Sequence, residues 1–178
     1  MRIQEKYKKE IIPELKKRLD IKNTLAIPRI TKVVINVGVG KKEKDFISTV
    51  EANLARITGQ KPVLTKAKKA ISAFKTRQGM VIGVAVTLRG KRMYDFLEKL
   101  INISFPRVRD FRGISEKHLD NMGNLTVGFK ENISFPEIRA DEIENIHGLE
   151  ISITTTAKSR EAGLELFKLL GFPFIKKD

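Results

Sequence analysis

Between residues 52 and 94 the chain carries ten lysines and arginines and no aspartate or glutamate. We call this stretch the basic window; the whole chain has a formal net charge of +14. Clustered like charges repel one another unless an anion neutralises them, and nucleic-acid phosphates do so with release of counterions. The basic window therefore indicates nucleic-acid binding, with a solvated lysine-rich surface as the alternative. Its bases are Arg56, Lys61, Lys66, Lys68, Lys69, Lys75, Arg77, Arg89, Lys91 and Arg92.

The other residues that could do chemistry form no recognisable catalytic or metal site. The turn at residues 38–42 follows a strand but lacks the spacing of a dinucleotide or nucleotide phosphate loop. His118 and His147 are far apart, without a zinc-ligand pattern around them, and cysteine is absent. The acidic cluster at 141–144 is more typical of a solvated face or a protein contact. We predict no catalytic residue, no metal and no cofactor.

In three segments, 31–39, 80–89 and 151–156, the type of side chain alternates from one residue to the next. This alternation predicts strands with two unlike faces. One face is bulky and must be buried against helices, whereas the other is small or polar. Hydroxyl and amide groups on such a face can hydrogen-bond ribose hydroxyls and phosphates, and glycine lets a partner approach the backbone. An ordinary solvated sheet face is the alternative. The small face comprises Asn36, Gly38, Gly83, Ala85, Thr87, Arg89, Ser152, Thr154 and Thr156.

Helical periodicity and capping residues predict the elements that cover the bulky face. Apolar residues every fourth position from Tyr7 to Leu19 predict an amphipathic helix. Pro13 should kink this helix or else mark the first turn of a shorter one. A second helix should begin at a cap on Asp45 and end at Gly59. Further helices should follow Gly90 and a cap on Ser159. A short strand is expected after Pro62.

The segment 66–78, which we call the finger loop, is expected to be a long basic loop between two strands. It carries five lysines and arginines, with Ile71 and Phe74 as lone apolar residues. Lysine and arginine side chains supply phosphate contacts, and exposed apolar side chains can pack on sugar or nucleobase surfaces. Alternatively, Ile71 and Phe74 pack into the core. We expect a finger that becomes ordered on nucleic acid.

Strands and helices without strict alternation favour an α+β fold, with helices on one face of a mainly antiparallel sheet. We expect residues 1–178 to form one domain, with an irregular region at about 107–148. No apolar run is long enough to span a membrane, and the charged N-terminus lacks a signal core. These features, with the absence of cysteine, predict a cytoplasmic protein without a membrane partner.

Many short segments, in order and nearly end to end, resemble the bacterial type of the large-subunit ribosomal protein five family. Each segment alone is weak, but their order makes the resemblance specific. The segments are Val33–Gly40, Ile57–Pro62, Thr65–Lys69, Gln78–Met80, Val86–Gly90, Pro106–Gly113, Phe135–Ile138 and Gly171–Phe174.

The resemblance implies a curved antiparallel sheet with helices on its convex face and an open concave face that binds 5S ribosomal RNA. It implies that the protein anchors this RNA in the central protuberance of the large subunit, beside 23S ribosomal RNA and neighbouring proteins. The positions that match the RNA-binding residues of the family are Asn36, Gln60 and Thr87, with Lys61 and Arg89 as basic neighbours.

The family also implies two further contacts. Its basic loop approaches transfer RNA in the peptidyl site, and its distal region contacts a small-subunit protein across an intersubunit bridge. The loop positions here are Lys66, Lys68, Lys69, Phe74, Lys75 and Arg77. The bridge positions here are Ile138, Asp141, Glu144 and His147.

The segment 119–125 departs from the family pattern, which has an arginine and a trailing aromatic residue that are both missing here. We expect the turn to survive, because Asn121 tolerates the left-handed conformation. Two rival functions are a generic basic nucleic-acid-binding module and a small enzyme acting on RNA. The acid-free basic window argues against the enzyme, which needs an acid–base pair or a metal.

Overall fold

The computed structural model describes residues 2–40, 42–138 and 146–175. Within these ranges a sheet of five strands has the order β2-β3-β1-β5-β4, which confirms the predicted α+β fold with a mainly antiparallel sheet. None of the helices in these ranges is long and apolar enough to cross a membrane. The strands are β1 (Ile30–Gly38), β2 (Val63–Lys66), β3 (Val81–Leu88), β4 (Leu125–Phe129) and β5 (Leu149–Thr155). The α-helices are α1 (Ile3–Lys6), α2 (Ile12–Arg18), α3 (Lys44–Thr58), α4 (Gly90–Lys99), α5 (Phe105–Arg107) and α6 (Arg160–Leu170).

The N-terminal helix runs through α1 and α2 with a π-helical turn at Tyr7–Ile11 between them. Pro13 lacks an N–H group and cannot complete the regular hydrogen-bond ladder, so a widened turn lies just before it. The predicted disturbance at Pro13 therefore takes the form of this turn. Tyr7 is buried and donates its hydroxyl hydrogen to the carbonyl of Pro28 at 2.9 Å.

The predicted cap of α3 is wrong by two residues. Helix α3 begins at Lys44 with Glu43 in the N-cap position, and Asp45 lies in the first turn without capping it. Its predicted end is confirmed, because Gly59 adopts the left-handed conformation with φ 65° and donates to the carbonyl of Ala55.

The two unlike faces are confirmed for β1 by the burial of its side chains, whereas in β3 Gly83 of the small face is buried as well. In β1 the apolar Val33, Ile35 and Val37 are buried, while Asn36 and Gly38 between and after them are exposed. The helix predicted after Gly90 is α4, which continues through a π-helical turn at Leu100–Ser104 into α5. The cap at Ser159 is also confirmed, since its hydroxyl accepts a hydrogen bond from the N–H of Ala162.

The chain divides into two compact units. Unit 1 consists of Met1–Val33, Leu88–Val127 and Ser152–Asp178, and unit 2 consists of Val34–Thr87 and Gly128–Ile151. That the chain acts as one domain stays a prediction.

Each unit has its own apolar core. In unit 1 the fully buried residues include Leu15 of α2, Leu97 of α4 and Phe167 of α6. In unit 2 they include Ile35 of β1 and Leu54 of α3. The amphipathic helices of each unit therefore bury the faces that the periodicity predicted.

The turn at the departing segment 119–125 survives, but the expected reason is wrong. Gly123, with φ 74°, takes the left-handed conformation, and Asn121 has no positive φ. The carboxylate of Asp120 closes the turn by accepting from the N–H groups of Met122 at 2.9 Å and Asn124 at 2.7 Å. Asn124 then accepts with its Oδ1 from the N–H of Thr155. The turn is thus tied to β5 by its own polar side chains.

Candidate nucleic-acid interface

A small, polar sheet face lies on β1, β2 and β3 within unit 2. Strands β2 and β3 are antiparallel, with Thr65 opposite Gly83 and Val63 opposite Ala85. Because side chains alternate along a strand, these four residues lie on one face together with Thr87. Strand β3 also neighbours β1. The face therefore spans three strands of the sheet.

Asn36 and Thr87, the two predicted RNA-binding residues within strands, are both exposed. Within the described parts of the chain, neither the Asn36 amide nor the Thr87 hydroxyl forms a hydrogen bond. The two side chains are therefore free to bind a polar partner. This arrangement differs from the one that would exclude RNA, in which helices would cover both residues.

Gln60, whose side the sequence alone left open, lies beside Thr87. Its side-chain Nε2 donates to the backbone carbonyl of Thr87 at 3.1 Å. Thr58 supports the same turn, because its hydroxyl donates to the carbonyl of Leu54 at 2.7 Å and accepts from the N–H of Gln60 at 3.3 Å. The structure thus brings Gln60 and Thr87 together. Lys61 follows in the chain and is exposed.

Arg89, the fifth predicted RNA-binding residue, belongs to unit 1. It is exposed and occupies the N-cap position of α4, directly after β3. Its guanidinium group is accessible to a phosphate, as the prediction requires.

Thr65 is a residue of this face that the sequence reasoning missed. It is half-buried, and its hydroxyl oxygen lies 2.6 Å from the position that a Cβ on Gly83 would occupy. The signal in the sequence is a glycine in β3 and a threonine in β2, but only the strand register shows that they are opposite each other. Thr65 therefore packs closely over Gly83, which is buried.

The lysines and arginines of the basic window from Lys61 onward have no acidic partners in the described ranges. All nine, from Lys61 to Arg92, are exposed and none forms an ion pair there. Ion pairs instead occur in unit 1, where Arg18 contacts Glu14 at 2.9 Å and Glu165 at 2.8 Å. These nine positive charges are therefore available to neutralise an external polyanion.

The finger loop extends the β2–β3 pair and is closed by backbone hydrogen bonds. Ile71 and Thr76 exchange two bonds of 3.1 Å, and Lys75 donates from its N–H to Ser72 at 2.8 Å. At the tip, Phe74 is 70% exposed and Ile71 is 47% exposed. Neither side chain packs into the core, so the alternative interpretation of these two residues is wrong. Lys66, Lys68, Lys69 and Arg77 are exposed along the same loop.

The two described residues of the predicted bridge contact, Ile138 and His147, are both buried. Burial lowers the pKa of the His147 imidazole, opposed by a hydrogen bond to the carbonyl of Gly148. The His147 ring also meets Phe46 edge-on, with 6.4 Å between ring centroids. The other two predicted residues, Asp141 and Glu144, lie outside the described residues.

No group of three or more histidine, cysteine or acidic side chains that could hold a metal ion occurs among the residues the structure describes. His118 is exposed, and its Nδ1 lies 3.1 Å from the carbonyl of Thr126. The other histidine, His147, is the buried residue described above. The two histidines therefore have separate surroundings.

The sheet, its flanking helices and the nine exposed lysines and arginines without acidic partners in the described ranges are typical of a nucleic-acid-binding protein. One family model, described as ribosomal protein L5, matches residues 23–77, and another, described as the C-terminus of the same ribosomal family, matches residues 81–174. The chain belongs to the ribosomal protein L5 family. Its cellular location is accordingly the ribosome, in the cytoplasm.

Curated relatives match along nearly the whole chain, and each is named large ribosomal subunit protein uL5. The protein of Halothermothrix orenii is 51% identical over 172 residues, which cover 96% of both chains. The protein of Desulforamulus reducens is 48% identical over 177 residues and 98% of both chains. The protein of Ralstonia pickettii is 51% identical over 175 residues and 97% of both chains.

Proposed function

We propose that this protein is a structural component of the large ribosomal subunit and binds 5S ribosomal RNA through the sheet face of unit 2. The observation that carries the proposal is the exposed pair Asn36 and Thr87, with Gln60 joined to Thr87, beside bases that lack acidic partners in the described ranges. The polar side chains supply shape-specific hydrogen bonds to RNA, and the bases, among them Lys61 and Arg89, supply phosphate contacts.

The same protein anchors 5S RNA in the central protuberance, where 23S ribosomal RNA and neighbouring proteins surround it. The finger loop contacts transfer RNA in the peptidyl site, with Phe74 at its exposed tip. The segment 138–148 contacts a small-subunit protein across the intersubunit bridge. The predicted bridge residues are Ile138, Asp141, Glu144 and His147, of which Ile138 and His147 are buried.

The role is binding and not catalysis. Histidine and the carboxylates are the commonest general acids and bases, and residues 52–94 contain none of them. The geometry supports positioning of a folded polyanion, which requires only charge and hydrogen-bonding groups in a fixed arrangement.

Filter binding of the purified protein tests the proposal, with 5S RNA competed by duplex DNA at several salt concentrations. We expect 5S RNA to be bound in clear preference to duplex DNA. Asn36→Ala and Thr87→Ala should each weaken 5S binding by about tenfold, the value of one lost hydrogen bond of ~1.4 kcal/mol. Their salt dependence should stay as in the parent protein, because neither side chain carries a charge.

Lys61→Ala should instead reduce the slope of log affinity against log salt by about one, as expected for one lost phosphate contact. Asn102→Ala is the matched control for Asn36→Ala, since Asn102 is an exposed asparagine of unit 1. Equal competition by duplex DNA would favour the generic nucleic-acid-binding module. Normal 5S binding by folded Asn36→Ala and Thr87→Ala variants would show that the site is assigned wrongly.

A further inference from the structure

We propose that a groove beside Gln60 binds an unpaired guanine of the bound RNA. The groove has a volume of about 570 Å³ and lies in unit 2, between α3 and the turn that leads into β2. Sites for small ligands in proteins measure about 300–1,000 Å³, so a single nucleobase fits. The inference rests on the proposed function, because it names a group of the same RNA that the neighbouring sheet face binds.

The groove is open because small residues line it. Ser48, Ala52 and Ala55 recur at every third or fourth position of α3, so they lie on one face of the helix. Ala52 is exposed there. At the end of α3 the groove continues past Gly59, where a Cβ would meet nothing within 4 Å. A flat ring can therefore approach the helix closely.

Three polar residues that line the groove determine what it can bind. The Glu51 carboxylate, the Lys61 ammonium group and Gln60 Oε1 form no hydrogen bond or ion pair in the described ranges. A carboxylate and an amide oxygen only accept hydrogen bonds, so a ligand that satisfies Glu51 and Gln60 must donate. Lys61 attracts an anion. A nucleotide combines hydrogen-bond donors on its base with the negative charge of its phosphate.

The carboxylate of Glu51 selects the base. Guanine presents two adjacent donors, N1–H and the N2 amine, and the two oxygens of a carboxylate can accept from both. Adenine and cytosine present one amine beside an acceptor nitrogen, which a carboxylate would repel. Uracil has a single N–H between two carbonyl oxygens. A base pair would occupy this edge of guanine, so the bound base must be unpaired, as in the loops and bulges that proteins recognise in RNA.

Gln60 connects the groove with the sheet face. Its Nε2 donates to the carbonyl of Thr87 at 3.1 Å, and the same residue lines the groove. An RNA that contacts Thr87 is therefore within reach of the groove. An arginine side chain of a partner protein would also satisfy Glu51, but it would bring a second positive charge to Lys61. The charges of the groove therefore favour RNA.

The test combines protein variants with modified 5S RNA. Glu51→Gln removes the carboxylate, and Glu43→Gln is its control, because Glu43 is an exposed acid at the other end of α3. Ala52→Leu fills the groove with another good helix former, and Ala70→Leu, at an exposed alanine of the finger loop, is its control. The RNA is 5S transcript in which inosine, which lacks the N2 amine, sparsely replaces guanosine. A phosphorothioate tag on each inosine lets iodine cleavage map its positions in bound and unbound RNA.

We expect the parent protein to select against inosine at one unpaired position. Glu51→Gln should bind unmodified 5S RNA about tenfold more weakly and lose that selection. Loss of a negative charge without a direct contact should instead strengthen RNA binding slightly, as we expect for Glu43→Gln. Ala52→Leu should weaken binding by a similar factor of about ten, whereas Ala70→Leu should bind as the parent does. Inosines that disturb RNA folding affect the parent and the variant equally, so the difference between the two patterns identifies the contact.

An inosine pattern that is unchanged by Glu51→Gln would overturn the guanine site while leaving the proposed function in place. Normal or stronger 5S RNA binding by both Glu51→Gln and Ala52→Leu would also overturn it, and would favour a protein partner for the groove. Failure of the proposed function gives a different result, since the parent protein would then not prefer 5S RNA to duplex DNA.

Discussion

The side-chain amide of Gln60 donates from Nε2 to the backbone carbonyl of Thr87, across 3.1 Å. A carbonyl oxygen can only accept, so this contact decides which end of the Gln60 amide faces Thr87. Gln60 Oε1 is then left as an acceptor without a protein donor in the described ranges. A hydrogen bond thus joins two polar residues that are distant in the chain.

Gln60→Glu should weaken 5S RNA binding by more than about tenfold, because a carboxylate cannot donate to Thr87 and adds a negative charge beside RNA. Filter binding at low and high salt measures the effect. Gln78→Glu is the charge-matched control, since Gln78 is an exposed glutamine of the basic window. The loss of 5S RNA affinity caused by Gln78→Glu should disappear at high salt, whereas the loss caused by Gln60→Glu should persist. Equal losses for the two variants at every salt concentration would contradict the role of the Thr87 contact.

Gly163→Ala should lower the free energy of unfolding by about 1–3 kcal/mol. In an exposed helix the same change is favourable by about 1 kcal/mol. Here Gly163 is buried in α6, and a Cβ would lie 2.8 Å from the carbonyl carbon of Gly123. Urea denaturation measures whether the substitution lowers or raises the free energy of unfolding. Gly128→Ala is the control, because it adds a methyl group to open space. A stabilised Gly163→Ala protein would show that the helix moves away without strain.

Acid should destabilise the folded protein through His147, below the pKa of an unfolded histidine, about 6.5. Burial lowers the folded-state pKa of His147, so the unfolded chain takes up the proton first. The free energy of unfolding then falls as pH decreases from about 6.5 through the folded-state pKa. Urea denaturation between pH 7.5 and 5 should show a flatter dependence in His147→Leu than in the parent. His118→Leu, at an exposed histidine, should keep the parent dependence; a flattening there would assign the effect to the wrong residue.

Phe74→Ala should change stability by less than about 0.5 kcal/mol, because the ring is 70% exposed. Under the proposed function it should nevertheless weaken retention of peptidyl-site transfer RNA, measured on ribosomes reconstituted with the variant. Leu25→Ala removes an apolar side chain that is 91% exposed in unit 1 and should leave retention unchanged. If ribosomes with Phe74→Ala retain as much transfer RNA as ribosomes with Leu25→Ala, then Phe74 does not contact the transfer RNA.

The secondary structure was largely predictable because its causes are local. Alternating apolar residues predicted β1 and β3, and Gly59 and Ser159 marked helix ends correctly. Asp45 was wrong because the start of a helix depends on the backbone dihedrals of single residues, and Glu43 is the one that is extended. At 119–125 the left-handed residue is Gly123 and not Asn121, because glycine adopts that conformation without a steric penalty.

The amino-acid sequence by itself determined the charge of the basic window and the two unlike faces of the strands, because both follow from residue type and spacing. Only the tertiary structure decided that Thr65 lies opposite Gly83, that Gln60 reaches Thr87 and that His147 is buried. Strand register, long-range hydrogen bonds and burial join residues distant in the chain, and no local period records those pairings.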